Sequence, residues 1–340
     1  MPTVPVSPSA AEHYFGFGKQ SAKGTGVAPA FFAAFVEELQ ARPGKNIREI
    51  QEGGTGPYIA RGVTDLYVPT WRFAAALRPD VAAAIYAFFL GTAGVPAGTG
   101  APYTHTLTNA SGRPVWTSFE RNIGDEIIER IVDGFITEIV LDIRKRDQGP
   151  EAMLEVSGTG LSLAVVSAAT DSYEADRPFL RSDAAWKVDN AAVTNIERAR
   201  VVSRWVHDEG MTTDAVTRAD ATKVQFQTDV EVVTLWSTAA EALAYKEIHY
   251  PVVAGDGSGT APSERVHQPS ATNSFEVDFN YTDREFKLNL AKVLWKDAEI
   301  SEPNPSATEA CRLTRRGVLI AATTPVTVTA KNTRSTNYLA

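Results

Sequence analysis

Apolar and polar positions alternate with a period of two through much of the chain, and most plainly between Gly134 and Gly160. Phe135, Thr137, Ile139, Leu141 and Ile143 fall on one side there, and Ile136, Glu138, Val140, Asp142 and Arg144 on the other. This is the pattern of a long strand with one apolar face. Asp147-Gln148-Gly149-Pro150 cannot continue it, because Gly and Pro mark a turn. Ala152, Leu154 and Val156 resume the alternation, so the segment predicts a long hairpin at the centre of a β domain.

Other elements follow from the same patterns. Residues 1–30 are rich in Pro, Ala, Ser and Gly and read as an irregular, flexible arm. From Ala30 to Ala41, Phe31, Phe32, Phe35, Val36 and Leu39 stand at helical spacing, with a strand ending at Pro43-Gly44 as the alternative. Asn46 to Ile50 reads as a strand, 53–57 as a loop, and TDLYVPTWRF (64–73) as a strand that Pro69 demotes to an edge or bulge. Asp80 to Leu90 predicts a helix behind Pro79, with Val81, Ile85, Phe88 and Phe89 on one stripe and Gly91 as its stop. Short strands around His105 and Phe119 lead into the hairpin. Residues 161–192 are small and polar, with a domain boundary nearby. Beyond them, strands are predicted from Asn195 through Val202 and over 222–233. A helix over Thr234 to Lys246, a strand at KEIHYPVV (246–253) and a loop at 255–263 come next. A hairpin follows through Phe275, Val277, Phe279, Tyr281, Thr282-Asp283, Phe286, Leu288 and Leu290, and the chain closes on further strands.

Set side by side, the two halves repeat this order. NIRE at 46–49 answers NIER at 195–198, and the strand from Thr64 answers the strand from Thr222. The two predicted helices answer one another, as do the strands around His105 and His249, and Ser118-Phe119-Glu120 answers Ser274-Phe275-Glu276. A tandem duplication is therefore expected. It comprises an arm at 1–30, a first β domain at 31–170 and a second at 171–340. The expected class is mainly β (α+β), as two β-sandwich or barrel domains each flanked by a helix. The period is far too long for a solenoid.

Composition narrows the function classes. A chain of 340 residues with 44% hydrophobic and 22% charged positions suits about two ordinary globular domains. No run of apolar residues is long enough for a transmembrane helix, so no membrane partner is expected. The N-terminus lacks a charged start followed by an apolar core, and the single Cys311 builds no disulfide framework; synthesis in a host cytoplasm is expected. The net charge of −8 opposes tight binding along nucleic acid backbones. Gly18-Lys19 lacks the rest of a phosphate loop, and Gly255-Asp256-Gly257-Ser258-Gly259 has the wrong spacing for a nucleophile elbow. The five histidines show no paired-ligand spacing, so no metal, cofactor or catalytic residue is expected. Glu138 and Asp142, two steps apart on one strand face, read as a solvated sheet face rather than an acid–base pair. Arg144-Lys145-Arg146 reads as a solvated tip or an interface contact.

GKQSAKGTGVAPAFF (18–32) resembles the N-terminal signature of two-domain tail tube proteins of long-tailed bacteriophages. AFFLGTAG (87–94), YTHTLTN (103–109), TSFERN (117–122) and VDGFITEIVLDI (132–143) are similar to their first domain. RPFLRSDAAWKVDN (177–190), NIERARVVSRW (195–205) and EIHYPVVAG (247–255) resemble their second. The chain departs from them in its long, charged segment at 204–221. The resemblance implies a β-sandwich or barrel flanked by a helix, related in fold to type VI secretion tube proteins. It implies a non-enzymatic virion protein, with three duplicated chains closing a pseudo-sixfold ring and rings stacking into the tube through which the genome is ejected. Its implied partners are the chain itself and tape measure, tail terminator and baseplate proteins, with DNA passing without sequence-specific binding.

On that reading the lumen is expected to be polar and net acidic, with Glu138, Asp142, Glu276 and Asp278 as candidates. Each projects from the polar side of a strand whose other side carries Ile139 and Leu141, or Val277 and Phe279. The outer surface remains open as their alternative location. Another tail or baseplate component stays open as a reading, as does a β-rich binding module using Trp71, Trp116 or Trp295.

Overall fold

A computed structural model of the chain describes residues 13–42, 45–50, 61–110, 112–125, 127–147, 149–208, 221–236, 239–249, 273–301, 311–320 and 324–340. The predicted loops at 53–57 and 255–263, most of the 204–221 segment and the last residues of KEIHYPVV lie outside them.

The first half contains β1 (Tyr14–Lys19), β2 (Phe31–Ala33), β3 (Phe35–Arg42), β4 (Lys45–Ile50), β5 (Arg61–Tyr67), β6 (Thr70–Ala76) and α1 (Pro79–Leu90). It continues with β7 (Tyr103–Thr108), β8 (Thr117–Ile123), β9 (Ile127–Arg144), β10 (Ala152–Thr159) and β11 (Ser162–Val165). The second half contains β12 (Ala184–Val188), β13 (Ala191–Val193), β14 (Ile196–Asp208), β15 (Thr222–Leu235) and α2 (Ala239–His249). It ends with β16 (Phe275–Tyr281), β17 (Arg284–Leu290), β18 (Val293–Ile300), β19 (Arg312–Leu319) and β20 (Val326–Asn332). The fold is mainly β, built from large antiparallel sheets, and does not close into a barrel, which removes that half of the expectation.

The strand pairings of the first half recur in the second. β9 bridges two branches: its first part pairs with β8 and β11, its second part with β10. β8 pairs with β1 and β1 with β2, while β10 pairs with β6 and β6 with β3. In the second half β17 pairs with β16 and β20, β16 with β12, and β12 with β13. β18, the continuation of β17, pairs with β19, β19 with β15, and β15 with β14. The correspondence reaches single residues. Phe119 faces Ile131 as Phe275 faces Leu290, and Leu154 faces Leu141 as Leu313 faces Ile300. Even the irregularities match. β9·β10 slips at Ser157/Gly158 and β18·β19 at Trp295/Asp297, the same rung of the ladder.

Gly158 and Gly317 occupy that rung for one reason. A Cβ at Gly158 would fall within the Trp71 ring and on the Phe135 carbonyl; one at Gly317 would come within 2.8 Å of the Trp295 ring. Each glycine lets a buried indole lie flat on its strand. The first core stacks Phe15, Trp71, Phe73 and Phe119, with Phe15–Phe73 and Trp71–Phe119 ring centres 4.4 and 3.9 Å apart. The second packs Trp186, Phe275, Phe279 and Phe286 between the facing sheets.

Four expectations need correction. Residues 14–30 are not part of a flexible arm, because Tyr14, Phe15 and Phe17 of β1 are buried between β2 and β8. The glycines that suggested looseness serve close packing: a Cβ at Gly16 would sit 2.6 Å from that of Pro29. Second, Phe31 to Arg42 forms two strands, with pairing to β1 and β6 overriding the helical spacing. Third, Thr234 and Leu235 still belong to β15, and Lys246 to His249 belong to α2, so no strand begins there. Fourth, the landmarks NIRE/NIER and His105/His249 do not correspond: register equates Ile196 with Phe35, and His249 lies on a helix. The repeated pairing thus runs from Tyr14 to Val165 and from Ala184 to Asn332.

Candidate assembly interface

Among the described residues, three features join the two halves most extensively. The far part of β9 pairs with β14 from Arg198↔Arg144 to Arg204↔Glu138, so one continuous sheet runs β18-β19-β15-β14-β9-β10-β6-β3. In the smaller sheet, β7 of the first half pairs with β20 of the second, ending the order β13-β12-β16-β17-β20-β7. Buried His105 on β7 spans this seam, with Nδ1 2.7 Å from the Gly94 carbonyl and Nε2 3.0 Å from that of Arg334.

Helix α1 is the third contact. It packs on β9 and β2 of its own half and on β20 and β17 of the other, and every residue after Asp80 is buried. An all-round apolar helix needs such cover on all sides. Phe88 meets Phe17 and Phe31, Tyr86 meets Phe286 at 5.5 Å, and Phe89 meets Phe226 at 5.9 Å.

Its ends are held from outside the first sandwich. At the N-terminus, where free N–H groups need acceptors, Glu174 of the linker accepts from Asp80 N (2.8 Å) and Val81 N (3.0 Å). Burial pushes the Glu174 carboxyl up to about 7, against the pull of those two N–H groups and with the push of Asp80 and Asp176. Arg334 and Tyr338 bind Asp80 from the chain's other end. At the C-terminus, Lys223 of β15 donates to the Phe89 carbonyl (3.1 Å) and lies over the Trp205 ring. Burial lowers the Lys223 amine to about 8. His207 beside it is lowered to about 4 by burial and by the Lys223 charge.

Helix α2 is the counterpart of α1 with half of this missing. It packs on β18 of its own half, and none of its residues is buried. The strand edges are correspondingly open. Among the described residues the long sheet ends at β18 and β3, and β11 pairs with β9 alone, whereas its counterpart β20 is covered by β7.

The sequence-predicted carboxylates do not converge. Glu138 and Asp142 lie on the outer face of the long sheet; Glu276 and Asp278 lie on that of the smaller one. They are also neutralised. Asp142 is buried and faces Arg144 (3.0 Å), Arg146 (3.3 Å) and Arg198 (3.4 Å). Glu138 lies 4.0 Å from Arg204, which binds Asp229 at 2.9 Å. Glu276 pairs with Lys187 and Asp278 with Lys287, at 2.8 and 2.9 Å. Burial works to raise the Glu276 carboxyl, but hydrogen bonds from Lys187 and Asn289 outweigh it and hold it below its ordinary value. On the long sheet, Arg316 bridges Glu231, Asp297 and Glu299 in the same way. The expected net-acidic face is therefore a ladder of ion pairs. The register that puts Glu138 and Asp142 outward puts Arg198 and Arg204 of β14 beside them.

Trp71 and Trp295 are buried in the cores, which removes them from an exposed binding face. Trp116 lies against Lys23 and Phe135. Among the described residues no group of His, Cys, Asp and Glu is placed to hold a metal, and no helix is long and apolar enough to cross a membrane. No family model and no curated protein matches the chain.

Proposed function

We propose that the chain is a structural, self-assembling protein of a long-tailed phage, whose rings stack into the tail tube through which DNA is ejected. The observation that carries this reading is the joint between the two like halves. Among the described residues it leaves uncovered on the second half the surfaces that the first half uses, and it leaves their complements uncovered on the first. A contact between unlike surfaces propagates head to tail, into a closed ring or an open filament. Three chains, or six like units, give the ring implied by the sequence resemblance. Exposed sheet edges are liabilities in a monomer and assembly contacts in a ring. The ion-paired outer face of the long sheet suits a lumen wall, because arginines already bound to carboxylates offer few free charges to phosphate.

Electron microscopy of the purified protein across a concentration series tests the proposal. Hollow tubes, or rings with threefold symmetry and six-lobed outline, are expected. Protein that stays monomeric at every concentration overturns it.

A further inference from the structure

We infer that the surface completing α2 and the β18 edge is a defined patch on a second copy of this chain, formed by β3, β11 and the first part of β9. The inference rests on the ring reading above and adds the identity and register of the contact. It follows from carrying the internal joint across to its open counterpart, residue by residue.

The sheet edges come first. Within the chain, Leu141 and Val140 of β9 stand opposite Val201 and Val202 of β14. Ladder register equates Leu141 with Ile300 and Val140 with Glu299, through their partners on β10 and β19. It equates Val201 with Ala41 and Val202 with Arg42, through β15 and β6. The same pairing between copies therefore sets Ile300 opposite Ala41 and Glu299 opposite Arg42. Both charged residues are exposed, and their signs are opposite. Opposite charges on facing strand positions favour this register over a slipped one. The internal joint has two valines at that rung, so the ion pair belongs to the contact between copies alone.

Helix cover points to the same patch. Tyr86 of α1 rests on Phe286 of β17, and α1 also packs on β20. At the sequence offset separating Leu154 from Leu313, Tyr86 corresponds to Tyr245 of α2. Register equates Phe286 with Ile127 and Val328 of β20 with Val165 of β11. Phe286 and Val328 are each 0% exposed. Ile127 and Val165, their counterparts on the open side, are 49% and 84% exposed, and Leu243 of α2 is 42% exposed. Ile127 and Val165 are among the few large apolar side chains left in solvent among the described residues, and the repeated joint sets Tyr245 of α2 over them. A second copy is the occupant that fits, since the cover they lack is the surface α2 presents.

The test uses the single native cysteine to advantage. In a Cys311→Ser background, Arg42→Cys and Glu299→Cys are combined, and assembled protein is treated with a short bismaleimide. Covalent dimers and a dominant closed trimer are expected on a denaturing gel, with neither single-cysteine protein crosslinking. Val165→Asp, at an exposed position, is expected to leave the monomer's melting temperature unchanged while lowering assembly at least tenfold. Glu299→Arg is expected to impair assembly similarly, and Arg42→Glu to restore it when added. Rings or tubes without the 42–299 crosslink, or normal assembly by Val165→Asp, overturn this interface and leave the tube reading standing. Crosslinked trimers that never stack sustain the interface and overturn the tube. Neither crosslink nor oligomer overturns both.

Discussion

Glu174→Gln isolates the clasp between the linker and α1. The Glu174 carboxyl stands near 7 in the folded chain because burial penalises its charge, against an ordinary value of 4.5. Between those values the folded state holds a proton that the unfolded chain has released, so stability falls as pH rises from 4.5 through 7. At pH 5 the unfolded chain gains less than about 1 kcal/mol from ionising this group; by pH 8 the cost to folding is roughly 3 kcal/mol. Glutamine carries no charge; its one amide oxygen can accept from Asp80 N or from Val81 N, and the bond lost to its NH2 group is a cost that does not change with pH. Urea denaturation of both proteins at pH 5 and pH 8 is the assay, using conditions in which the protein is monomeric. The stability difference, variant minus parent, is expected to be roughly 2–3 kcal/mol more positive at pH 8 than at pH 5. A difference that is flat with pH would show that Glu174 is solvated and ionised throughout, and would refute burial as the origin of its shift.

The same titrations in Glu174→Gln should unmask His207. Its ring is held neutral near 4 by burial and Lys223, so the unfolded chain alone takes up protons below 6.5 and stability is lost as pH falls from 6.5 towards 4. Gly158→Ala drives a methyl into the Trp71 ring and the Phe135 carbonyl and is expected to cost about 3 kcal/mol or more in the same denaturation assay. Asp142→Asn leaves Arg144, Arg146 and Arg198 facing one another without their shared carboxylate; a loss of roughly 2–4 kcal/mol is expected. Deleting residues 2–28 removes β1 with Phe15 and Phe17, and should abolish the cooperative melting transition seen by circular dichroism.

Much of the fold was legible where one strand carries its own signal. The 134–160 hairpin announces itself because Ile139, Leu141 and Ile143 must all face a core while a turn cluster ends the run. Helix α1 was legible from Pro79, its apolar stripe and Gly91, which adopts the left-handed conformation at φ 88°. What failed depended on partners distant in sequence. β1 looked like a loose arm because Gly16 and Gly18 are read locally as flexibility, whereas they answer to Pro29 and Ala28 packed across them. The Ser118-Phe119-Glu120 match to Ser274-Phe275-Glu276 survived because it marks the same rung in both halves. NIRE and NIER shared letters and no rung. The ion pairing of the candidate face was hidden for the same reason: the arginines that neutralise Glu138 and Asp142 arrive on β14, and nothing in the hairpin itself foretells them.

The repeated pairing sets two helices of different composition in corresponding places, and the difference follows their circumstances. Helix α1, PDVAAAIYAFFL, is apolar around its whole circumference and is covered permanently by the second half of its own chain. Helix α2 carries Glu241, Lys246, Glu247 and His249 among Ala, Leu, Tyr and Ile, and its corresponding cover would be lent by another molecule. A helix as greasy as α1 at that position would leave a large apolar patch on every free monomer, which favours indiscriminate aggregation. Helix α2 keeps fewer apolar positions, with Tyr245 half-buried and Leu243 42% exposed. The joint within a chain is intramolecular, at an effective concentration set by the linker and independent of how many copies are present. In the proposed ring, the joint between chains would form only when another copy arrives in register, and the difference between α2 and α1 accords with that constraint.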